Sequence, residues 1–381
     1  MARGLILMIP GEAHLNPTIG LVNELIKQDH EIVYITSNRF KDTIERTKAT
    51  FVGYPEEVKE NVNSNNANIN LMNMSKKFME GNKLILDLAM KQSGEFDYII
   101  YDSYMFIDDS LIKKFNIKKL ITTTTTFALD KKLFSHMLNN FDIHKVGTTI
   151  HNKIKSDQLI DNKISIKKHK ANLNIVFTSK YLQPNSNEFD KTYKFIGPAI
   201  IKDKSENFKI EKQNNKKLVY ISLGSVVSKN LEFYKKCFKA LGNSSDLNVI
   251  VSVGRRISIS ELGDIPYNFK VYNYVPQFEV LKQSDLLITH GSMNSSNEAL
   301  YNDIPLLIIP QLGDQTLIAK RIEELGAAIV LSNDVNESTI KNSVEILLSH
   351  SLYKESAKNI GQSLREAGGC KEATNFINQL L

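Results

Sequence analysis

Cysteine is nearly absent. Cys237 and Cys370 are the only two among 381 residues. Thiols so few and so far apart in sequence exclude a Cys-rich zinc site or a disulfide framework, and both are read as reduced thiols in a reducing compartment. Long hydrophobic runs are missing as well. The apolar stretch 5–9 is shorter than a signal-peptide core and far short of the roughly 20 residues of a membrane span, so a cytoplasmic location without a transmembrane segment is expected. Charge of one sign is lacking too: 48 basic against 42 acidic side chains leave +6, with no dense basic block, which argues against a nucleic-acid partner. Gly4 does not open a GxGxxG motif, which argues against a dinucleotide cofactor. His136, His144, His151 and His169 are irregularly spaced, without a metal-ligand pattern, and are read as solvated. What is present, 42% hydrophobic and 24% charged residues with 18 Gly and 9 Pro, is the composition of a soluble globular protein. At a prior of roughly 150 residues per domain, the length makes two domains or one large α/β unit.

Apolar periodicity places a buried-type strand at 4–9, a helix opened by Pro17 and carried by Ile19, Leu21, Val22, Leu25 and Ile26, and a strand at 31–36. With further strands at 98–101 and 119–123, this is the order of a doubly wound parallel sheet. The Asn-rich residues 56–73 and the Lys- and His-rich residues 127–170 lack a period and are read as loop and helical excursions, where ligand contacts gather. Residues 201–217 carry Lys, Asn and Glu with few apolar side chains, as a linker does. Beyond them strands are expected at 218–222, 248–253, 270–274, 286–289 and 306–309, a second α/β alternation with no obvious internal repeat. The stretch 353–381 is helical except at Gly368-Gly369, and is expected to bend there and pack back on the first domain. The expected plan is therefore a first domain at 1–198, a linker at 199–216, a second domain at 217–352 and C-terminal helices at 353–381.

In open parallel sheets ligands bind at the carboxyl ends of the strands. The strands of the second half run into Gly224-Ser225, Gly254-Arg255, Val275-Pro276-Gln277, His290-Gly291-Ser292 and residues 311–315, loops of small or polar residues suited to a site. The sharpest segment runs from Thr289 through His290, Gly291, Ser292, Asn294 and Ser295 to Glu298, leaving a strand and entering a helix. A helix N-terminus can hold a diphosphate without a metal, and His290 can add a hydrogen bond or a proton to the leaving oxygen. Asn294 and Glu298, four apart, share a helix face, so Glu298 can accept hydrogen bonds from a ribose diol one turn below the phosphates. A plain N-cap at Ser292 and an ordinary loop histidine fit the same residues equally well.

In the first half, His14 follows the first strand, in the loop at its carboxyl end, where an imidazole suits deprotonation of a hydroxyl near neutral pH. Asp102 also follows a strand of that sheet, and a carboxylate on the second ring nitrogen would fix the tautomer. Thr124 lies in a run of threonines, 122–126, read as a strand and its exit turn whose hydroxyls can touch a ligand. Phe106, Phe127, Phe134, Met137 and Phe141 fit an apolar pocket lining, and core or lid packing accounts for them at least as well.

Tyr274-Val275-Pro276-Gln277, then 289–298, then Gly313-Asp314-Gln315 resemble the donor-binding signature of UDP-glycosyltransferases, most of all the bacterial macrolide-glycosyltransferase group. The likeness spans nearly the whole chain: His14-Leu15-Asn16-Pro17 resembles the acceptor-side motif, Tyr101-Asp102-Ser103 the motif of its acidic partner, Gly197-Pro198 the end of the first domain, and Ser222-Leu223-Gly224-Ser225 the first phosphate loop. The resemblance implies a GT-B fold, two Rossmann-like domains facing across a cleft, and inverting sugar transfer from a UDP-sugar co-substrate with no essential metal and no further cofactor. It implies an aromatic on uracil at Tyr274, with the Val275 backbone and Gln277 beside it, and a ribose-binding acid at Glu298. Diphosphate contacts are implied at Gly224, Ser225, His290, Gly291, Ser292, Asn294 and Ser295, sugar contacts at Asp314 and Gln315, and a general base at His14 with Asp102 as its partner. Ser292 departs from the usual second Gly, adding a Cβ beside the phosphates. The acceptor implied is a small, mostly apolar hydroxylated compound, a macrolide or flavonoid, and the donor UDP-glucose. Two other readings share the architecture: a UDP-sugar epimerase, which would need acids and bases around the sugar that are not found, and a non-catalytic nucleotide-sugar-binding module, which has no use for His14 and Asp102 together.

Overall fold

A computed structural model describes residues 1–55, 80–130, 133, 169–200, 208, 210, 215–224, 230–311 and 314–381. Most of the expected excursions and of the expected linker, together with Phe134, His136, Met137, Phe141, His144, His151, Ser225 and Gly313, lie outside the described residues. The chain forms two compact units. One comprises Met1–Phe177, Asn185–Ala199 and Gly368–Leu381, the other Thr178–Pro184 and Ile200–Ala367.

The first unit is built on a seven-stranded sheet in the order β3-β2-β1-β4-β5-β6-β7. Its strands are β1 (Arg3–Leu7), β2 (Glu31–Ser37), β3 (Thr50–Tyr54), β4 (Tyr98–Asp102), β5 (Lys119–Thr124), β6 (Leu173–Val176) and β7 (Tyr193–Phe195). Every pairing is parallel. A parallel sheet is covered on both faces, so its central strands need continuous rather than alternating apolar residues. In β1, Leu5, Ile6 and Leu7 are all fully buried. Ile6 packs on one face with Leu15, Leu21 and Leu25, whereas Leu5 and Leu7 pack on the other with Ile99 and Leu111. Gly4 pairs with Tyr98, and a Cβ there would stand 2.5 Å from the Tyr98 ring, so only glycine lets that ring lie across β1.

The first helix differs from the sequence expectation. It runs Glu12–Lys27, with Gly11 as N-cap, Glu12 in the first turn where the helix dipole favours an acid, and Pro17 buried inside it. His14 therefore stands in the first turn of a helix and not in a loop.

The second unit holds a six-stranded parallel sheet in the order β10-β9-β8-β11-β12-β13. The strands are β8 (Lys217–Ser222), β9 (Leu247–Ser252), β10 (Phe269–Tyr272), β11 (Leu286–Thr289), β12 (Leu306–Ile308) and β13 (Ala328–Val330). β10 stops at Tyr272, which leaves Tyr274 in the exit loop. Helix Ser351–Glu366 belongs to this unit and helix Gly369–Leu380 to the first, and the chain passes between them through Gly368 and Gly369, at φ 86° and 62°. Among the described residues no helix is long and apolar enough to cross a membrane.

Candidate active site

In both sheets the strand order reverses about a central pair, β1 and β4 in the first unit, β8 and β11 in the second. The crevice at such a switch point is where an open α/β sheet accepts a ligand. In the first unit, the helix after β1 brings His14 to the end of β4. His14 Nδ1 lies 2.8 Å from Asp102 Oδ2, and Asp102 is completely buried while the histidine side chain keeps 28% of its exposure. The backbone N–H of Tyr104 donates to Asp102 Oδ1 at 2.8 Å, so both carboxylate oxygens are engaged. Thr125 Oγ1 stands 3.3 Å from the same Nδ1, and the Tyr104 ring meets the imidazole edge-on, 5.7 Å between centroids. With Nδ1–H donating to the carboxylate, the neutral ring carries its lone pair on Nε2, the arrangement of an oriented general base.

Tyr104 and Thr125 were not legible as parts of this constellation: the first acts through a backbone N–H, and the second is one hydroxyl among five consecutive threonines. Thr124 is buried, Phe127 completely so, as a core side chain is, and Phe106 keeps 47% of its exposure. His169 departs from the solvated reading, because its Nε2 lies 2.6 Å from Asp109 Oδ1.

In the second unit, Gly224, at φ 75°, leaves β8 beneath the His290 ring. A Cβ on Gly224 would stand 2.7 Å from His290 Cε1, so the ring occupies space that only glycine leaves open. Gly291, at φ 85°, is similarly hemmed by Ile308, 2.6 Å from a built Cβ, and lies close to the Gln315 carbonyl. Ser292 is the N-cap of helix Met293–Tyr301, but its hydroxyl makes no capping bond; it donates to Ser295 Oγ at 3.2 Å. Asn294 and Glu298 both sit half-buried on that helix, one turn apart. Gln277 Nε2 donates to Glu298 Oε2 at 2.7 Å and reaches Ser295 Oγ at 3.4 Å, while Tyr220 OH donates to Gln277 Oε1 at 3.5 Å. Gln277 thus holds the carboxylate in place, a function its spacing in the sequence did not show. Tyr274 is 63% exposed and Val275 is buried, so Val275 offers its backbone only. Asp314 is the N-cap of helix Gln315–Glu324, and Gln315 Oε1 accepts from the Gln311 N–H at 2.8 Å.

Residues 237–372 match the family model described as Erythromycin biosynthesis protein CIII-like, C-terminal domain. The chain is 31% identical to the uncharacterized UDP-glucosyltransferase YojK of Bacillus subtilis (strain 168), over 99% of this chain and 97% of that one. It is 30% identical to the NDP-glycosyltransferase YjiC of the same organism, over 98% and 96%. The chain belongs to the UDP-glycosyltransferase family. Its fold is shared with CalG4, the calicheamicin glycosyltransferase, at a TM-score of 0.82 and 24% identity over 100% of this chain and 98% of that one, which makes the two parallel-sheet units those of a GT-B enzyme.

Burial tunes two neighbouring titratable groups in this glycosyltransferase's second unit in opposite directions. It pushes His290 down to about 4, so at neutral pH the ring is uncharged and offers a hydrogen bond rather than a cation. It raises Glu298 to about 6, partly offset by the Gln277 amide. An ionised Glu298 held by Gln277 through one oxygen can accept a diol through the other.

Proposed function

We propose that this glycosyltransferase moves a hexose, glucose as the first candidate, from a UDP-sugar to a hydroxyl of a small, mostly apolar acceptor of the macrolide or flavonoid kind, with inversion at the anomeric carbon. The observation that carries this reading is the 2.8 Å contact between His14 Nδ1 and the buried Asp102. A module that only held a nucleotide sugar would have no use for an oriented base in its other unit.

In this mechanism the acceptor hydroxyl gives its proton to His14 Nε2 as its oxygen bonds to the anomeric carbon. The bond from that carbon to the diphosphate oxygen breaks on the opposite face, and UDP leaves with the electron pair. Asp102 stabilises the imidazolium that forms. The helix beginning at Met293 and the neutral His290 face the charge that develops on UDP, a fixed arrangement that needs no reorganisation during the reaction. Glu298 binds the ribose, Tyr274 stacks on the base, and Asp314 with Gln315 bind the sugar hydroxyls.

The test is to incubate the purified protein with UDP-glucose and a panel of phenolic and macrolide acceptors, with EDTA present. UDP release is followed beside product mass, and the anomeric configuration is read by NMR. Acceptor-dependent release with a gain of one hexose and an inverted linkage is expected, abolished in His14→Ala with UDP binding nearly intact. Turnover retained in His14→Ala would remove the histidine from the reaction, and UDP binding without transfer on any acceptor would favour a binding module.

A further inference from the structure

A neutral imidazole carries one proton, and the hydrogen bond made at one ring nitrogen decides which nitrogen holds it. Burial, which pushes His290 down to about 4, keeps its ring neutral, so two tautomers compete at neutral pH. The ring has a single hydrogen-bond partner among the described residues: Thr289 Oγ1 stands 3.4 Å from Nδ1, and Nε2 has none. Thr289 ends β11, is completely buried, and has no other partner for its hydroxyl among the described residues. If Nδ1 held the proton it would donate to Oγ1, and the threonine's own O–H would stand inside the protein with nothing to accept it, at the full cost of its lost hydration. If the threonine donates to the Nδ1 lone pair, its hydroxyl is satisfied and the ring proton stands on Nε2. The loop after β8 keeps that edge of the ring open, because a Cβ on Gly224 would lie 3.1 Å from Nε2. His14 is the opposite case. Its Nδ1 meets a carboxylate, which can only accept, so the proton sits on Nδ1 and Nε2 is left as the acceptor. At His290 a hydroxyl takes the carboxylate's place, and the two nitrogens exchange parts.

We propose that Thr289 is a positioning residue for His290: its hydroxyl donates to Nδ1 and so holds the proton on Nε2, from which the ring donates a hydrogen bond to an oxygen of the donor's diphosphate. The inference rests on the reading of residues 289–298 as a diphosphate site. An ionised phosphate oxygen can only accept, so a lone pair on Nε2 would face it unpaired, whereas an N–H there meets it as a donor. A neutral ring that donates in this way keeps its proton. Charge on the departing UDP is therefore met at His290 by a hydrogen bond and not by proton transfer.

The experiment is NMR of the full chain carrying ¹⁵N-labelled histidine, with the His290 signals assigned by their loss in His290→Asn, beside calorimetric titration of UDP into wild type, Thr289→Val and Thr289→Ser. Long-range ¹H–¹⁵N spectra distinguish a ring nitrogen that carries a proton from one that carries a lone pair. Wild type without ligand should show the His290 proton on Nε2, and Thr289→Val a mixture of the two tautomers. UDP should bind Thr289→Val about two- to tenfold more weakly, the worth of one hydrogen bond, and Thr289→Ser should recover the tautomer and most of the affinity. The order of the variants separates this role from packing. Valine keeps the bulk of the buried threonine and loses the donor, whereas serine keeps the donor and loses the methyl group, so a merely structural role would rank serine below valine. A proton on Nδ1 in wild type would overturn the inference, as would an unchanged UDP affinity in Thr289→Val or a weaker one in Thr289→Ser than in Thr289→Val. Wild type with the proton on Nε2 that binds no UDP would instead overturn the diphosphate reading beneath it.

Discussion

Glu298 and His290 show how one cause, removal from water, sets two different chemistries on neighbouring elements. For Glu298 the shift from 4.5 to about 6 amounts to about 2 kcal/mol, and its sign can be worked through. The folded state holds the proton more tightly than the unfolded chain does. The contribution to stability is therefore fully present below pH 4.5 and is lost as pH rises through 6, so at neutral pH the ionised carboxylate is a standing cost. Glu298→Gln should raise the midpoint of thermal unfolding at pH 7.5, by up to the equivalent of about 2 kcal/mol, and should have little effect on it at pH 4.5. The same substitution should weaken the donor, and wild-type donor affinity should fall as pH drops below about 6, where the carboxylate gains its proton. Calorimetric titration with UDP at pH 5, 6 and 7.5 checks this; flat affinity across that range would remove Glu298 from ribose binding. Asp102→Asn separates the other unit's chemistry from this one. It should lower kcat by about 100-fold or more through loss of the tautomer that frees Nε2, with the donor KM unchanged. A loss confined to KM would assign Asp102 to binding.

At the scale of elements, glycines decide where side chains of the second unit's loops can stand. Gly224→Ala asks a non-glycine residue to adopt φ 75° and drives a Cβ to 2.7 Å from His290 Cε1. Either the loop after β8 shifts or the ring leaves its place, at about 1 to 3 kcal/mol. The expected outcome is a lower melting temperature together with a weaker UDP complex, measured on the same preparation; an unchanged UDP affinity would mean that the ring position is irrelevant to the nucleotide. The elements themselves were legible in uneven measure, for a physical reason. Strands buried on both faces, such as β1, β4, β8 and β11, carry unbroken apolar runs, and their positions were readable to within a residue or two. β3, β6, β7 and β13 were missed: β3, β7 and β13 are edge strands of their sheets, and two of them, Thr50–Tyr54 and Tyr193–Phe195, lie half-exposed with polar or glycine residues among the apolar ones. The first helix was begun at Pro17 because proline is common at a helix start, whereas here Gly11 caps it and Pro17 lies inside. The loops and their chemical residue types could be read, since a doubly wound sheet dictates which strand ends matter. Contacts that depend on the pairing of separate elements could not: Gln277 on Glu298, Thr125 on His14 and the Asn273 amide on the carbonyls of Gly254 and Ile257 are set by strand order and not by spacing.

At the scale of the whole molecule, the chain ends where it began. Helix Gly369–Leu380 packs with helix Glu12–Lys27, and its Ala373 and Ile377 are fully buried in the core formed by Leu21, Leu25 and Ile175. Polar contacts reinforce that packing. The Gly369 N–H donates to the Ile196 carbonyl at 2.7 Å, and the buried His30 bridges Tyr98 OH at 2.8 Å and Asn378 Oδ1 at 2.9 Å. The last residues therefore stabilise the unit that holds His14 and Asp102, although they follow the unit that holds Glu298. Ile377→Ala should cost about 2 to 5 kcal/mol, the range for deleting a buried branched side chain, and the cost should fall on one unit. Hydrogen exchange read by mass spectrometry should show faster exchange across residues 15–35 and 173–177, with residues 218–223 and 286–309 unaffected, because opening proceeds by cooperative unit. Transfer should fall with the stability of the first unit, while UDP affinity, which the proposed mechanism assigns to the second, should hold. Exchange that quickens equally in both sheets would show instead that the two units unfold as one.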